Sequence, residues 1–411
     1  MTMKKQIAVV GGGYSGLTLA YFLEKAGHQV TVFEAEERAG GHCCSVFHKR
    51  EFCELGSVLG TSETFMKFLR QLGVKAEYKY FHRNFLGPDG QKQAQIGPDE
   101  IAGFQEQLKR LPEYLAPYQA ALSAPGWAHI PDALTQSFES WCNANKLHTL
   151  MRVYAPHLVA FGFGKSSEIP AIYALKYLDI MTLSSMIESR KLISFSNGAN
   201  EIIAKLSERL DDLRLNTPVT GMIPLDNNRL TIKTPVGEED FDAAVITVPL
   251  DPSVIHAPDH ARLMSCYRRK AYNVLSYVAQ ENYRTTSYFT HNFDKDGHLL
   301  LLYSSKPDQP GPLLTAYAAG DLPIKVLKAQ IDADLKQAGF KAERLFAYKQ
   351  WQTFPHVTGV EIKNGFYDQV NALQGQQGIY FSGSLTCFPT LDKLTQYLSD
   401  FATRYFGPDQ P

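Results

Sequence analysis

Glycines crowd the first forty-one residues of this chain, in the stretch QIAVVGGGYSGLTLAYFLEKAGHQVTVFEAEERAGG. Gly11, Gly13 and Gly16 form G-x-G-x-x-G. Glycines at that spacing let a phosphate group reach main-chain N–H groups. Gly11 is expected to make the tight turn, Gly13 to admit a pyrophosphate, and Gly16 to let a helix pack close to a strand. The phosphates, with Ser15 beside them, would meet the helix N-terminus, where unpaired N–H groups and the dipole favour negative charge. Glu34 stands eighteen residues past Gly16. With Ala35 beside it, it is placed to accept ribose hydroxyls and to repel a 2′-phosphate. The chemistry is dinucleotide binding; a glycine turn that binds nothing is the alternative.

The elements that must position these residues are legible around them. Ile7-Ala8-Val9-Val10 is an apolar, β-branched run, expected as a short buried strand. Leu17, Leu19, Ala20, Phe22 and Leu23 follow at helical spacing, with Gly27 as the expected C-cap. Val30 to Glu34 then alternates as a second strand. Strand, glycine turn, helix and strand with a terminal acid make the full context in which the glycine motif is specific.

Composition narrows the partners. Across 411 residues the net charge is −1, which excludes the electrostatic footprint of a nucleic-acid binder. The 24 Phe and 21 Tyr favour an apolar cavity over a charged one. Cys43, Cys44, Cys53, Cys142, Cys266 and Cys387 fit neither CxxC nor a disulfide framework, so reduced thiols and a cytoplasmic location are expected. The apolar run Ile7–Val10 is too short for a signal-peptide core, and no stretch approaches the eighteen apolar residues of a membrane span. No metal-binding cluster, HExxH or Ser-His-Asp order is visible. The stretch IAGFQEQLKRLPEYLAPYQAAL, expected as a helix interrupted by Pro112, carries Ile101, Phe104, Leu108, Leu111 and Leu115 on one face. That face is either core or a transient membrane contact.

Arg38-Ala39-Gly40-Gly41 after Glu34 resembles the E-x-x-x-x-x-GG continuation of the FAD-binding flavoproteins that include the amine oxidases. The resemblance implies non-covalent FAD, with Arg38 and Gly41 against its phosphates; Arg38 as a solvated loop residue is the alternative. His42 replaces the basic residue usual after the glycine pair. Glu54-Leu55-Gly56-Ser57 resembles the D/E-x-G turn near the flavin, which implicates Gly56 and Ser57. Val219 begins a strand at which that group holds adenine through the main chain. Residues 378–384 resemble the second fingerprint hhh-A-G-D/E, with Gly383 conserving its glycine and Ser384 in place of the acid. LTIKTPVGEEDFDAAVITVPL reads as a hairpin turning at Val236-Gly237, then a strand Ala244–Val248.

The expected fold class is therefore α/β. It combines a Rossmann-like FAD-binding domain of the glutathione reductase or amine oxidase type with an inserted sheet-plus-helix substrate domain. The former takes 1–78, 191–251 and 372–411; the latter takes 79–190 and 252–371, with a helical cap. Strands are expected near 271–280, 285–291, 298–304 and 313–318, and a helix at 324–338.

APHLVAFGFGKSSEIPAIYALKYLDIMT and WQTFPHVTGVEIKNGFYDQVNALQGQQGIYFSGSLT resemble the flavin-dependent polyunsaturated fatty acid double-bond isomerases of the linoleate type. That resemblance implies a redox-neutral shuttle, in which flavin N5 takes a hydride from between two double bonds and returns it at another carbon. Phe161 matches an aromatic near the substrate, with core packing as the alternative. Met186 falls where the isomerases have a second flanking aromatic. Tyr177 is either pocket or core, and His356 either faces the flavin or is structural. Arg83 precedes the turn Gly87-Pro88-Asp89-Gly90, shares a strand face with Phe81 and Phe85, and matches the arginine that grips the substrate carboxylate; an edge strand with Arg83 in water or paired to a protein acid is the alternative. Two alternatives remain open: an oxidase or desaturase that passes electrons to oxygen, and a non-catalytic FAD-binding protein. The precise substrate and the oligomeric state are not legible.

Overall fold

The computed structural model describes residues 4–57, 60–80, 83–177, 191–283, 286–304 and 310–407. In chain order, the strands of its two main sheets are β1 (Gln6–Val10), β2 (Gln29–Phe33), β3 (Asn84–Leu86), β4 (Lys92–Gln93), β5 (Asp212–Arg214), β6 (Ala243–Ile246), β7 (Arg268–Tyr283), β8 (Thr286–Tyr288), β9 (Leu301–Tyr303), β10 (Gly311–Ala319), β11 (Ala342–His356) and β12 (Ile379–Phe381). One sheet is parallel, in the order β12-β6-β1-β2-β5. The other runs β11-β7-β10-β9-β8-β3-β4 and is antiparallel except where β8 pairs with β3. The molecule is α/β, a Rossmann-type unit on the parallel sheet joined to a second unit built on the larger sheet.

β1 lies between β6 and β2, and its Ile7, Ala8 and Val9 are fully buried. A strand covered on both faces must be apolar at successive positions, which is why the run carries no alternation. Helix α1 (Tyr14–Lys25) follows directly and packs on the final helix Leu391–Phe406, where Tyr14 and Thr395 hydroxyls meet at 2.5 Å. α1 is capped at Ala26, one residue before the expected Gly27; Gly27 follows it with φ +95°.

Several expectations need correction. The helix Ile101–Leu115 runs through Pro112 unbroken; it buries Phe104, Leu111 and Leu115 but leaves Ile101 exposed. The hairpin turns at Pro235-Val236, since Gly237 already pairs with Thr234. Val219 lies in a loop, and the strand after it starts at Gly221. β11 was not foreseen, although it pairs along most of β7. Its charged residues stand at an edge of the sheet open to solvent, which blunts the apolar alternation a strand search needs. No helix among the described residues is long and apolar enough to cross a membrane.

The two units meet at Glu54. It is 2% exposed, accepts a hydrogen bond from the Ala199 N–H (2.8 Å) and one from the Ser45 hydroxyl (2.8 Å), and its main-chain carbonyl accepts one from Tyr317 of β10. Burial pushes its carboxyl up to about 7, against these two donors. The unfolded state therefore ionises first as pH rises from the ordinary glutamate range, and Glu54 removes stability across that window up to about 7. Glu54→Gln should remove this slope. Its unfolding free energy should gain on the wild type between pH 5 and pH 8 by on the order of 2–3 kcal/mol, read as a melting-temperature difference that grows with pH. Parallel melting curves across that range would show that Glu54 is not a buried titrating group.

Candidate functional site

The glycine turn builds a cradle from backbone. A Cβ on Gly16 would stand 1.8 Å from the Gly11 carbonyl oxygen, so only glycine lets α1 close on β1. Gly11 holds φ +106°. The Gly12 N–H donates to Glu34 (2.7 Å), and the Glu36 N–H donates to its other carboxylate oxygen (2.9 Å). Gly13 is different: a Cβ there would meet nothing closer than Gly41 Cα at 3.8 Å. Gly13 is the N-cap of α1, with no side-chain cap and no acid in the first turn. An uncapped helix start with open space before it is an anion site in want of an anion. A dinucleotide pyrophosphate fits these residues.

Arg38 does not reach the cavity; it donates to the carbonyls of Ala39 (3.0 Å), Cys43 (3.0 Å) and Gly41 (2.7 Å) and so folds the loop that presents Gly41. Gly56 packs on the same loop, where a Cβ would stand 1.9 Å from the His42 carbonyl oxygen; the Ser57 N–H donates to that oxygen at 2.8 Å. Gly383, at φ +65°, brings the second fingerprint against Ser15.

A cavity of about 550 Å³ opens from this cradle. Gly13, Ser15, Gly41, His42, Gly56, Ser57 and Ser384 line one part of it. Glu34, Ala35 and Val219 do not line it; Glu36 does. His42 is open to the cavity yet walled by protein, its ring edge-on to Trp351 at 4.7 Å. Enclosure and then the Arg38 and Lys349 charges push it down to about 4, so it is a neutral ring at pH 7.

The other part is aromatic. Phe161 and Tyr177 line it, as do Tyr272, Tyr288, Tyr303 and Trp351. Tyr177 stacks on Phe388 at 4.9 Å and holds Phe163 at 4.7 Å. Phe354 reaches the cavity from a left-handed backbone, φ +52°, where β11 slips register against β7. His356 does not line the cavity. It stacks behind Phe354 at 5.1 Å, with Nδ1 2.7 Å from the Phe354 carbonyl oxygen. Cys387 is likewise outside the lining, and burial pushes its thiol up to about 12. Met186 and Phe81 lie outside the described residues.

Arg83 enters this aromatic space beside β3, after which the turn closes with the Gly90 N–H on the Gly87 carbonyl (3.0 Å). Its guanidinium Nη1 lies 3.1 Å from His157 Nε2. Burial, and then the Arg83 charge, push His157 down to about 3. The ring is therefore neutral and Nε2 accepts from Arg83, which leaves the proton on Nδ1. No carboxylate stands within ion-pair distance of Arg83 among the described residues. His157, Thr286, Tyr288 and Trp351 are lining residues that sequence reasoning missed. The alternation of Thr286 and Tyr288 around Ser287 was the available signal, and it identifies a strand face without saying what the face looks on.

Sheet, glycine cradle and cavity together fit a flavin-dependent oxidoreductase, with FAD as its cofactor. The chain belongs to the flavin containing amine oxidoreductase family, which matches residues 14–391. L-amino-acid oxidase BjussuLAAO-I of Bothrops jararacussu is 53% identical over 47 residues, 11% of this chain and only 10% of the relative's length. The FAD-dependent oxidoreductase oblC of Cochliobolus heterostrophus is 23% identical, covering 92% of this chain and 86% of that one. Among solved structures, a CLA-producing fatty acid isomerase from P. acnes superposes with TM-score 0.92 at 24% identity, covering 99% of this chain and 100% of that one. Putrescine oxidase bound to putrescine superposes with TM-score 0.72 at 17% identity, covering 98% and 99%. At these identities the structural likenesses establish the fold.

The two glycines should separate folding from cofactor binding. Gly13→Val should fold, because space is open there, yet carry no flavin absorbance after purification and reconstitution. Gly16→Ala should lower the melting temperature of the apoprotein itself. Full flavin occupancy in Gly13→Val would overturn the placement of the pyrophosphate.

Proposed function

We propose that this protein is an isomerase that shifts a double bond in an unsaturated fatty acid or a similar apolar carboxylate, using non-covalent FAD. The observation that carries the proposal is Arg83: a half-buried cation in an aromatic cavity, with no protein carboxylate beside it among the described residues. A buried charge left unpaired is strongly destabilising. A substrate carboxylate would supply the missing partner through a bidentate pair.

Bound FAD supplies a hydride acceptor that can return what it takes. The chain's own residues bind and orient. Gly13, Gly41 and the start of α1 would hold the pyrophosphate, with Ser15 and Ser384 offering hydroxyls nearby. Gly56, Ser57 and His42 would bound the flavin end, with His42 neutral, so that it adds no charge there. Phe161 and Tyr177 are placed to press an extended chain flat and to exclude water. Their ring faces would favour positive charge developing on the substrate, by ~1–2 kcal/mol when desolvated. Phe354 and Trp351 serve the same enclosure, and His356 acts from behind by fixing Phe354. Met186 remains a candidate flanking residue of the same chain.

An oxidase acting on an amine is the second reading, and family membership favours it. The charges lining the cavity oppose it. Arg83 and Arg269 line the cavity, whereas the only lining carboxylate among the described residues, Glu36, lies two residues beyond Glu34 beside the glycine cradle. An ammonium group would find no counter-charge by the aromatic walls.

Two measurements test the proposal. Incubation with linoleate should yield an isomer of unchanged mass, with no oxygen uptake; peroxide equal to product would place the protein among the oxidases. Arg83→Gln should weaken binding of the free acid by ~2–4 kcal/mol and leave its methyl ester unchanged. Equal losses for both, or none for either, would remove the carboxylate role.

A further inference from the structure

The guanidinium is not alone on its wall. β8 runs parallel to β3 with Ser287 opposite Asn84 and Tyr288 opposite Phe85. One step back along both strands, Thr286 stands level with Arg83. Side chains alternate along a strand, so Thr286 and Tyr288 share one face, and residues in register across a parallel pair point the same way. The ring of Tyr288 confirms this side: it stacks on Phe85 at 5.4 Å and meets His157, the partner of Arg83, edge-on at 5.8 Å. Arg83, Thr286 and Tyr288 all line the cavity.

Both hydroxyls want a partner. Thr286 is 4% exposed, and its Oγ1 is buried without a hydrogen-bond partner. A buried hydroxyl left unsatisfied is destabilising, and native structures pair nearly all such groups. Rotation about χ1 exchanges the threonine hydroxyl and methyl, and so can turn the donor towards the cavity. Tyr288 is 2% exposed and lines the cavity, and no described residue hydrogen-bonds its hydroxyl. Burial pushes its phenol up to about 12, with the Arg83 charge pulling against that, so it stays protonated and can donate. His157 Nε2 already accepts from Arg83, so that nitrogen offers the anion no proton.

The geometry points to a three-point anion clamp in which Thr286 Oγ1 and Tyr288 Oη join Arg83 on the two oxygens of a bound carboxylate. This rests on the assignment of Arg83 to the substrate carboxylate and extends it. The two hydroxyls make the site specific for an anion of carboxylate shape, where a lone guanidinium would also accept an uncharged carbonyl oxygen.

The test uses FAD-loaded protein and two probes that undergo no turnover, palmitate and methyl palmitate, with binding read from the flavin absorbance shift and by calorimetry. The wild type should bind palmitate the more tightly. Tyr288→Phe and Thr286→Val keep shape and volume, and their folding is checked by melting temperature and flavin content. Each should weaken palmitate by roughly 10-fold or more, in line with a hydrogen bond to a charged group, and leave methyl palmitate within about twofold. In the Arg83→Gln background each should have a smaller effect, because the three groups act on one anion. Wild-type affinity for palmitate in both variants, or equal loss of both probes, overturns the clamp. If Arg83→Gln weakens palmitate while neither hydroxyl variant does, only the clamp falls. If Arg83→Gln leaves palmitate untouched, the carboxylate assignment falls and takes the clamp with it.

Discussion

The contact on which the molecule depends is between Gly16 and the Gly11 carbonyl, where a single added carbon would stand at 1.8 Å. That approach sets the start of α1 directly against the end of β1. It turns four unpaired N–H groups and the positive end of a dipole towards one point in space. The Gly40 N–H then reaches the Gly12 carbonyl at 2.8 Å, and Arg38 ties the loop after it. The second fingerprint can close on Ser15 because Gly383 also lacks a side chain. Three distant pieces of chain thus converge on one patch of bare backbone, and the cavity begins there.

The rest of the site is a contrast of dielectric. The cradle offers N–H groups, hydroxyls and a helix start, whereas the adjoining space offers rings. Within the aromatic part, burial sets the protonation states: His157 is held neutral, and the tyrosines are held protonated. Arginine keeps its charge under conditions that discharge histidine. Arg83 therefore keeps its positive charge on that wall, and the groups around it respond to it. Glu54 is the counterpart at the junction of the sheets, a carboxylate placed where ionisation is opposed by burial.

Fold and cofactor were largely legible because both rest on local rules. Gly11, Gly13 and Gly16 between an apolar run and a helical pattern announce a phosphate cradle wherever they occur. Errors arose where neighbours decide. Pro112 did not break its helix, and β11 was passed over because an edge strand need not alternate. For His356, in Phe354-Pro355-His356, two readings stood open, facing the flavin or structural, and stacking behind Phe354 gives it the supporting place. Thr286 and Tyr288 were unremarkable as letters and became part of a wall only when β8 paired in register with β3.

The sequence by itself determined the order of elements about the glycine turn, the dinucleotide class of ligand and the FAD continuation at Arg38 to Gly41. The first two follow from backbone sterics and hydrogen-bond valence within some forty residues; the last was read from a family resemblance. Only the tertiary structure decided that Arg83 meets His157 instead of an acid, that Tyr177 faces a cavity while Tyr173 bonds to Tyr367 in the core, and that Arg38 serves the loop. Burial and charge are properties of what surrounds a residue, and those surroundings are assembled from segments more than seventy residues apart in the chain.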